Sequence, residues 1–118
     1  YFAGAKNPLY IIHKDEIDIK KGSFFPVGSN QYNTKKQYDL HEINYEKETK
    51  VYLFSDGFQD QFGGELGKKF MRKRFRELIY GTRFKNMQEQ RKILVEEFNE
   101  WKKEEDQTDD VLVIGLLL

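Results

Sequence analysis

The stretch Val51 to Gly64, VYLFSDGFQDQFGG, decides the fold of this chain. Its first residues, Val51 to Ser55, are mostly β-branched, aromatic or aliphatic, which is typical of a strand inside a sheet. Asp56-Gly57 follows directly and combines a charge with a residue that breaks regular structure. The pattern therefore predicts Asp56 at the rim of a sheet, held by a rigid strand. A plain Asp-Gly turn is the alternative interpretation.

A second acidic pair, Asp109-Asp110, stands just before the other strongly apolar run, Val111 to Leu118. Two helical patterns separate the two runs, so a chain that rises through the first strand descends through the last. If these strands are neighbours they are antiparallel, and Asp56 and Asp109 then lie at the same rim. Two carboxylates held together repel each other unless a cation lies between them. A hard divalent ion with oxygen ligands suits this position, so the pattern predicts a metal site.

The same residues resemble those of a known family. YLFSDGFQDQFGG, followed after two helices by TDDVLVIGLLL, is similar to the second half of the metal-dependent serine/threonine phosphatases of the 2C type. The bacterial branch typified by stage II sporulation protein E gives the closest likeness. The opening YFAGAKNPLYIIH and the turn Phe25-Pro26-Val27-Gly28 also match, in order. The resemblance implies an α/β (α+β) fold, in which an antiparallel sheet carries two helices on one face as half of a β-sandwich.

The resemblance also implies an activity. Members of this family dephosphorylate phosphoserine and phosphothreonine in proteins, using two Mn²⁺ or Mg²⁺ ions that activate a water molecule and clamp the phosphate. The metal ligands that it implies are Asp56 and Asp109. Secondary candidates are Asp60, Asp110 and the turn glycine Gly57, and Asp60 either approaches a metal or faces water. The implied partner is a phosphorylated protein in bacterial signalling, as in other proteins resembling the sporulation phosphatase.

The chain departs from the family because the first half of the phosphatase domain, which carries the other metal carboxylates, is missing. We therefore expect residues 1–118 to form the C-terminal part of a single phosphatase-like domain and to be inactive alone. A tag-trimmed complete domain is the alternative. Two carboxylates would hold a hydrated Mg²⁺ only weakly. Central strands that are apolar on both faces would leave one face uncovered, so self-association is also expected.

Three other functional classes share some of these sequence features. A non-catalytic, phosphatase-like binding or sensing module would lack the missing ligands in the longer protein too. A receiver-like domain phosphorylated on Asp56 needs alternating parallel βαβ units, which the N-terminal meander argues against. A haloacid-type phosphatase needs an Asp two residues after its nucleophile, and Phe58 stands there instead.

Composition excludes several classes of function. Lys plus Arg and Asp plus Glu both number 20, so no net charge attracts nucleic acid. No apolar run reaches the roughly 18 residues of a membrane span, and no signal peptide opens the chain, so we expect a cytoplasmic protein without membrane contact. The lack of cysteine excludes disulfides and thiolate metal sites. The histidines, His13 and His41, are too far apart in sequence to suggest zinc.

Periodicity predicts the remaining elements. Short strands are expected at Tyr1 to Ala5, Leu9 to His13 and around Ile17 and Ile19, with an edge-like strand at Gln37 to Ile43. Four glycines in Gly57 to Lys69 predict a mobile loop over the rim.

Two helices are predicted after this loop. Met71, Phe75 and Ile79 recur at helical spacing, and Gly81 is placed as a C-terminal cap. Asn86 begins the second helix with a capping box, and its apolar stripe ends at Trp101. A basic cluster precedes and enters the first helix, and it is either a solvated helix face or a phosphopeptide-docking patch; its members are Lys68, Lys69, Arg72, Lys73, Arg74 and Arg76.

Overall fold

The computed structural model describes residues 1–24, 27 and 37–118. Most of the turn expected at Phe25-Pro26-Val27-Gly28 lies outside these residues. The elements, in chain order, are β1 (Leu9–His13), β2 (Glu16–Lys20), β3 (Lys50–Phe54), β4 (Phe62–Gly63), β5 (Lys68–Lys69), α1 (Arg72–Gly81), α2 (Met87–Lys102) and β6 (Val113–Leu117). In the described part of the chain, no helix combines the length and the apolar character needed to cross a membrane.

Four strands form the main sheet, in the order β2-β1-β3-β6, and every neighbouring pair is antiparallel. The pairing of β3 with β6 runs from Lys50 opposite Leu117 to Phe54 opposite Val113. The last strand therefore starts beside the end of β3, as the strand-polarity argument predicts. β4 and β5 form a separate two-stranded hairpin.

Both helices cover one face of the main sheet, which confirms the predicted fold class. The core on this face joins Tyr10 and Tyr52 of the sheet to Phe75 and Ile79 of α1 and to Leu94 of α2. The rings of Phe54 and Phe75 lie 4.9 Å apart, at a tilt that aromatic pairs favour. This burial is what fixes the orientation of β3, and hence of the residues that follow it.

The core also encloses a polar clamp between sheet and helices. The Tyr52 hydroxyl donates to Gln90 Oε1 at 2.6 Å, and Gln90 Nε2 donates to the carbonyls of Thr82 and Lys85. These bonds satisfy buried polar groups and tie α2 to the end of α1.

The opposite face of the sheet is only partly covered. Leu9, Ile11 and Val51 pack there against Phe2 and Ile43. Toward β6 the cover ends, and the strand alternation places three exposed apolar side chains on this face: Leu53 (38%), Ile114 (41%) and Leu116 (46%). The predicted uncovered apolar surface is therefore present, while self-association stays a prediction.

Two predicted strands are absent. Residues 1–5 and 37–43 share a single bridge, between Phe2 and His41, instead of a ladder. The backbone hydrogen bonds of these segments go elsewhere, since the Asp39 N–H donates to Ser23 Oγ and the Ser23 N–H donates to the Gly4 carbonyl. Side chains and crossing loops thus replace the strand pairing that the alternation suggested.

The prediction of a mobile loop at Gly57 to Lys69 was wrong. The segment contains the β4–β5 hairpin and buries Phe58 and Gln61. Gly63 serves close packing, because a Cβ there would lie 1.9 Å from the Trp101 carbonyl oxygen, whereas Gly67 has no neighbour within 4 Å and adopts a positive φ of 60°.

The predicted C-terminal cap of α1 is displaced by one residue. Gly81 is the last helical residue, and Thr82 occupies the C-cap position.

Candidate metal centre

The rim is built where the β3–β6 pairing continues past both strands. The Ser55 N–H donates to the Leu112 carbonyl at 2.9 Å. The Ser55 hydroxyl accepts from the Leu112 N–H at 3.0 Å and donates to the Asp110 carbonyl at 3.1 Å. A single serine therefore joins the end of β3 to the start of the last strand. This places the Ser-Asp-Gly motif and the Asp-Asp pair at the same rim.

Gly57 lets the two chain segments touch. It is buried, and a Cβ added to it would lie 2.0 Å from the Asp110 carbonyl oxygen and 3.2 Å from the Val111 Cα. Because both contacts are backbone atoms, no side-chain movement could make room. Glycine is needed here for space.

The Asp56 carboxylate is exposed and accepts a hydrogen bond from Gln59 Nε2 at 3.2 Å. Gln59 is itself buried, and its backbone carbonyl accepts from the Met71 N–H at 2.8 Å. Gln59 Oε1 is buried with no partner among the described residues. A rigid donor thus restrains Asp56, and an unsatisfied oxygen lies in the same side chain.

The other predicted site residues have different surroundings. Asp109 Oδ1 accepts from the Asp110 N–H at 2.7 Å. Asp110 contributes its carbonyl to Ser55. Asp60 forms an ion pair with Lys69, with a Nζ–Oδ1 distance of 3.7 Å, so its carboxylate is engaged by β5.

Two residues at the rim escape sequence reasoning. The sequence predicts Ser55 only as the strand end in a Ser-Asp-Gly motif, and Gln59 only as part of a glycine-rich loop. The spacing of Asp56 and Gln59, three positions apart, is that of a single turn, and this was the available signal. Their contacts with Asp110 and Met71 join segments far apart in sequence.

The donors fit part of a metal centre. Carboxylate oxygens are the ligands that Mg²⁺ and Mn²⁺ prefer, and the rim brings the Asp56 and Asp109 segments together. Among the described residues, however, no group of three or more His, Asp or Glu side chains could hold a metal ion.

Comparison with known proteins decides the family. The family described as Stage II sporulation protein E (SpoIIE) matches residues 1–117. The chain belongs to this family. Among solved structures it is similar to the SiaA-PP2C domain of Pseudomonas aeruginosa, with a TM-score of 0.84 and 28% sequence identity. The match covers 97% of this chain and 44% of that one, so this member of the sporulation protein E family spans less than half of that neighbour.

No curated protein sequence matches the chain. The family match and the solved neighbour confirm the resemblance to the 2C-type phosphatases and the fold class that it implied. They support a phosphatase-like domain for this member of the sporulation protein E family.

Proposed function

We propose that this chain is the part of a protein serine/threonine phosphatase in which Asp56 and Asp109 are ligands of a Mn²⁺ or Mg²⁺ centre. One observation carries the proposal: Ser55 joins the end of β3 to the Asp110 carbonyl, so both acidic motifs share a rim. Membership of a phosphatase family supports the reaction.

Each of the rim residues would have a distinct role in the metal site. Asp56 and Asp109 would hold the positive charge, with Gln59 fixing the Asp56 carboxylate and Gly57 allowing the close approach of the two segments. Asp60 and Asp110 remain secondary candidates. When bound, the metal ions supply a water of lowered pKa and neutralise phosphate charge. No nucleophilic side chain is required.

The proposal places the complete activity in a longer polypeptide. Because this chain corresponds to 44% of its solved neighbour, further carboxylates would come from sequence outside residues 1–118, and this chain alone should show little turnover. We further propose a phosphorylated protein as substrate, and a bacterial signalling role in the cytoplasm, which fits the absence of cysteine.

The test uses the longer protein that carries this chain. Asp56→Asn and Asp109→Asn should each reduce Mn²⁺-dependent hydrolysis of a phosphoserine peptide by about 100-fold or more, since losing an outer-shell partner alone costs about 10- to 100-fold. Asp18→Asn is the control, because Asp18 pairs with Lys20 on β2, at the opposite edge of the sheet. Wild-type rates in the Asp56→Asn variant would refute the metal site.

A non-catalytic binding or sensing module is the second candidate. In such a module the further carboxylates would be missing from the longer protein as well as from the described residues. Titration calorimetry of the longer protein with Mn²⁺ separates the two. Metal binding that is lost in Asp56→Asn supports the phosphatase, and no binding at all supports the sensing module.

A further inference from the structure

A cleft of about 700 Å³ lies between the β4–β5 hairpin and the start of α1. Four cations line it: Lys68, Lys69, Lys73 and Arg74. Two carboxylates, Glu65 and Glu77, also line it, so the cationic side chains are in excess. The proposed metal site uses none of these residues. We refer to this feature as the hairpin cleft.

Arg74 is held in place by aromatic rings. Its guanidinium carbon lies 4.5 Å from the centroid of the Trp101 ring and 5.6 Å from that of Phe70. Trp101 is fixed in turn, since its indole N–H donates to the Gln61 carbonyl at 2.9 Å. Cation–π attraction to these rings holds the guanidinium in place, and its N–H groups can bind a planar oxyanion. Arg74 is therefore arranged for a carboxylate or phosphate.

Local carboxylates neutralise the other cations poorly. Lys69 lies 3.7 Å from Asp60 and Lys73 lies 4.0 Å from Glu77. Both pairs are solvent-exposed, and such pairs are weak. No acidic residue lies in the first turn of α1, where cations face the positive end of the helix dipole. An anionic partner would relieve this repulsion.

The cleft is connected to the rim through Gln59. This side chain donates to Asp56, and its carbonyl accepts from the N–H of Met71, which lines the cleft. Exposed Leu66 (78%) and Met71 (59%) add apolar surface beside the cations. The contacts from Asp56 through Gln59 to Met71 therefore make the cleft a direct neighbour of the rim.

We propose that the hairpin cleft binds an acidic segment of the substrate protein, adjacent to the phosphorylated residue. The proposal rests on the proposed phosphatase function and adds a substrate class to it: phosphoproteins with Asp or Glu near the phosphate. Charge complementarity selects this partner, because the cleft combines an oriented guanidinium with three lysines.

The chain offers a matched pair of variants. Lys73 and Lys92 are both about four-fifths exposed on a helix, at 79% and 77%, and each lies 4.0 Å from a glutamate one turn later. Only Lys73 lines the hairpin cleft. The same change, Lys73→Gln or Lys92→Gln, therefore removes the same charge from the same local setting.

The experiment uses the longer protein and two phosphoserine peptides, one flanked by Asp and Glu and one by Asn and Gln. Lys73→Gln should raise KM for the acidic peptide by roughly twofold to fivefold, without changing kcat or the KM of the neutral peptide. Arg74→Gln should raise KM for the acidic peptide by roughly tenfold, as expected for the loss of a charge-assisted hydrogen bond. Lys92→Gln should change neither kcat nor the KM for the acidic peptide. Equal effects of Lys73→Gln and Lys92→Gln on the KM for the acidic peptide would overturn the proposal. An equal effect of Lys73→Gln on the KM of both peptides would also overturn it.

Two further measurements separate this inference from the phosphatase assignment. Hydrolysis of a small aryl phosphate reports on the metal site alone, and its absence in the wild-type protein counts against the phosphatase only. Fluorescence anisotropy of the labelled acidic peptide reports on the cleft without turnover. Binding that Lys73→Gln weakens supports the cleft, whereas equal binding of acidic and neutral peptides refutes it.

Discussion

The close approach of the two acidic motifs requires a glycine at position 57. A methyl group at this position would meet the Asp110 carbonyl oxygen at 2.0 Å. We expect Gly57→Ala to lower the free energy of unfolding by about 1–3 kcal/mol, because the backbone must move to relieve the clash. Urea unfolding measures the change. Gly81→Ala, with no heavy atom within 4 Å, should leave stability equal or slightly higher, and equal losses in both variants would contradict the prediction.

Two buried phenols make stability sensitive to alkali. Burial raises the pKa of Tyr52 and of Tyr10 above the ordinary value of 10.0. The unfolded chain then loses these protons first. Their contribution to stability is complete below about pH 10 and falls as the pH rises through the raised pKa of the folded state.

Unfolding measured against pH tests this effect. We expect Tyr52→Phe to be less stable at neutral pH, since Gln90 Oε1 loses its partner, yet to lose less stability than the wild type above about pH 10. Lysines titrate in the same range in both proteins, so the difference between them reports on Tyr52. If the free energy of unfolding falls with pH equally in the wild type and in Tyr52→Phe, this phenol does not contribute to the alkaline loss of stability.

Single residues at the rim were predictable when their own chemistry marked them. Asp56 was placed at a sheet rim because a charge and a glycine follow an apolar strand. Ser55 and Gln59 were not, since their roles lie in bonds to Asp110 and Met71. Such contacts join separate segments of the folded chain, and no local sequence pattern reports them.

At the scale of elements, the start of α2 is set by a capping box. Asn86 Oδ1 accepts from the Glu89 N–H at 2.9 Å, and Glu89 Oε2 accepts from the Asn86 N–H at 3.3 Å. Asn86→Ala should lower stability by about 1 kcal/mol. Thermal unfolding measures the loss, with Asn99→Ala in the exposed interior of the same helix as control. A loss in Asn99→Ala as large as in Asn86→Ala would rule out capping as the cause.

The strands and helices that sequence predicted well are those with a simple apolar period. β1 and β3 are short apolar runs whose alternate residues pack on the two faces of the sheet, and α2 presents one apolar stripe to the core. The β4–β5 hairpin was missed because its glycines were interpreted as flexibility. Gly63 instead allows contact with the Trp101 carbonyl. Glycine alone does not distinguish close packing from mobility.

At the scale of the whole molecule, the open face of the sheet should make this chain self-associate. Leu116 is 46% exposed there, on edge strand β6. We expect the 118-residue chain to sediment as more than a monomer, and Leu116→Lys to shift it toward the monomer by charging the contact. Val95→Lys, at a 47% exposed site on α2, is the control. A wild-type monomer at high concentration would contradict the prediction.

The pairing of β3 with β6 also has a consequence for how the protein is made. During synthesis β3 leaves the ribosome first, and the hairpin and both helices follow before β6 appears. Until then one edge of β3 has no partner, and such open edges are where nascent chains misassemble. The long intervening segment also makes this pairing a slow, non-local step. Ser55 and Gly57 can meet the backbone of Asp110 only when that step is complete, so the rim forms at the end of folding.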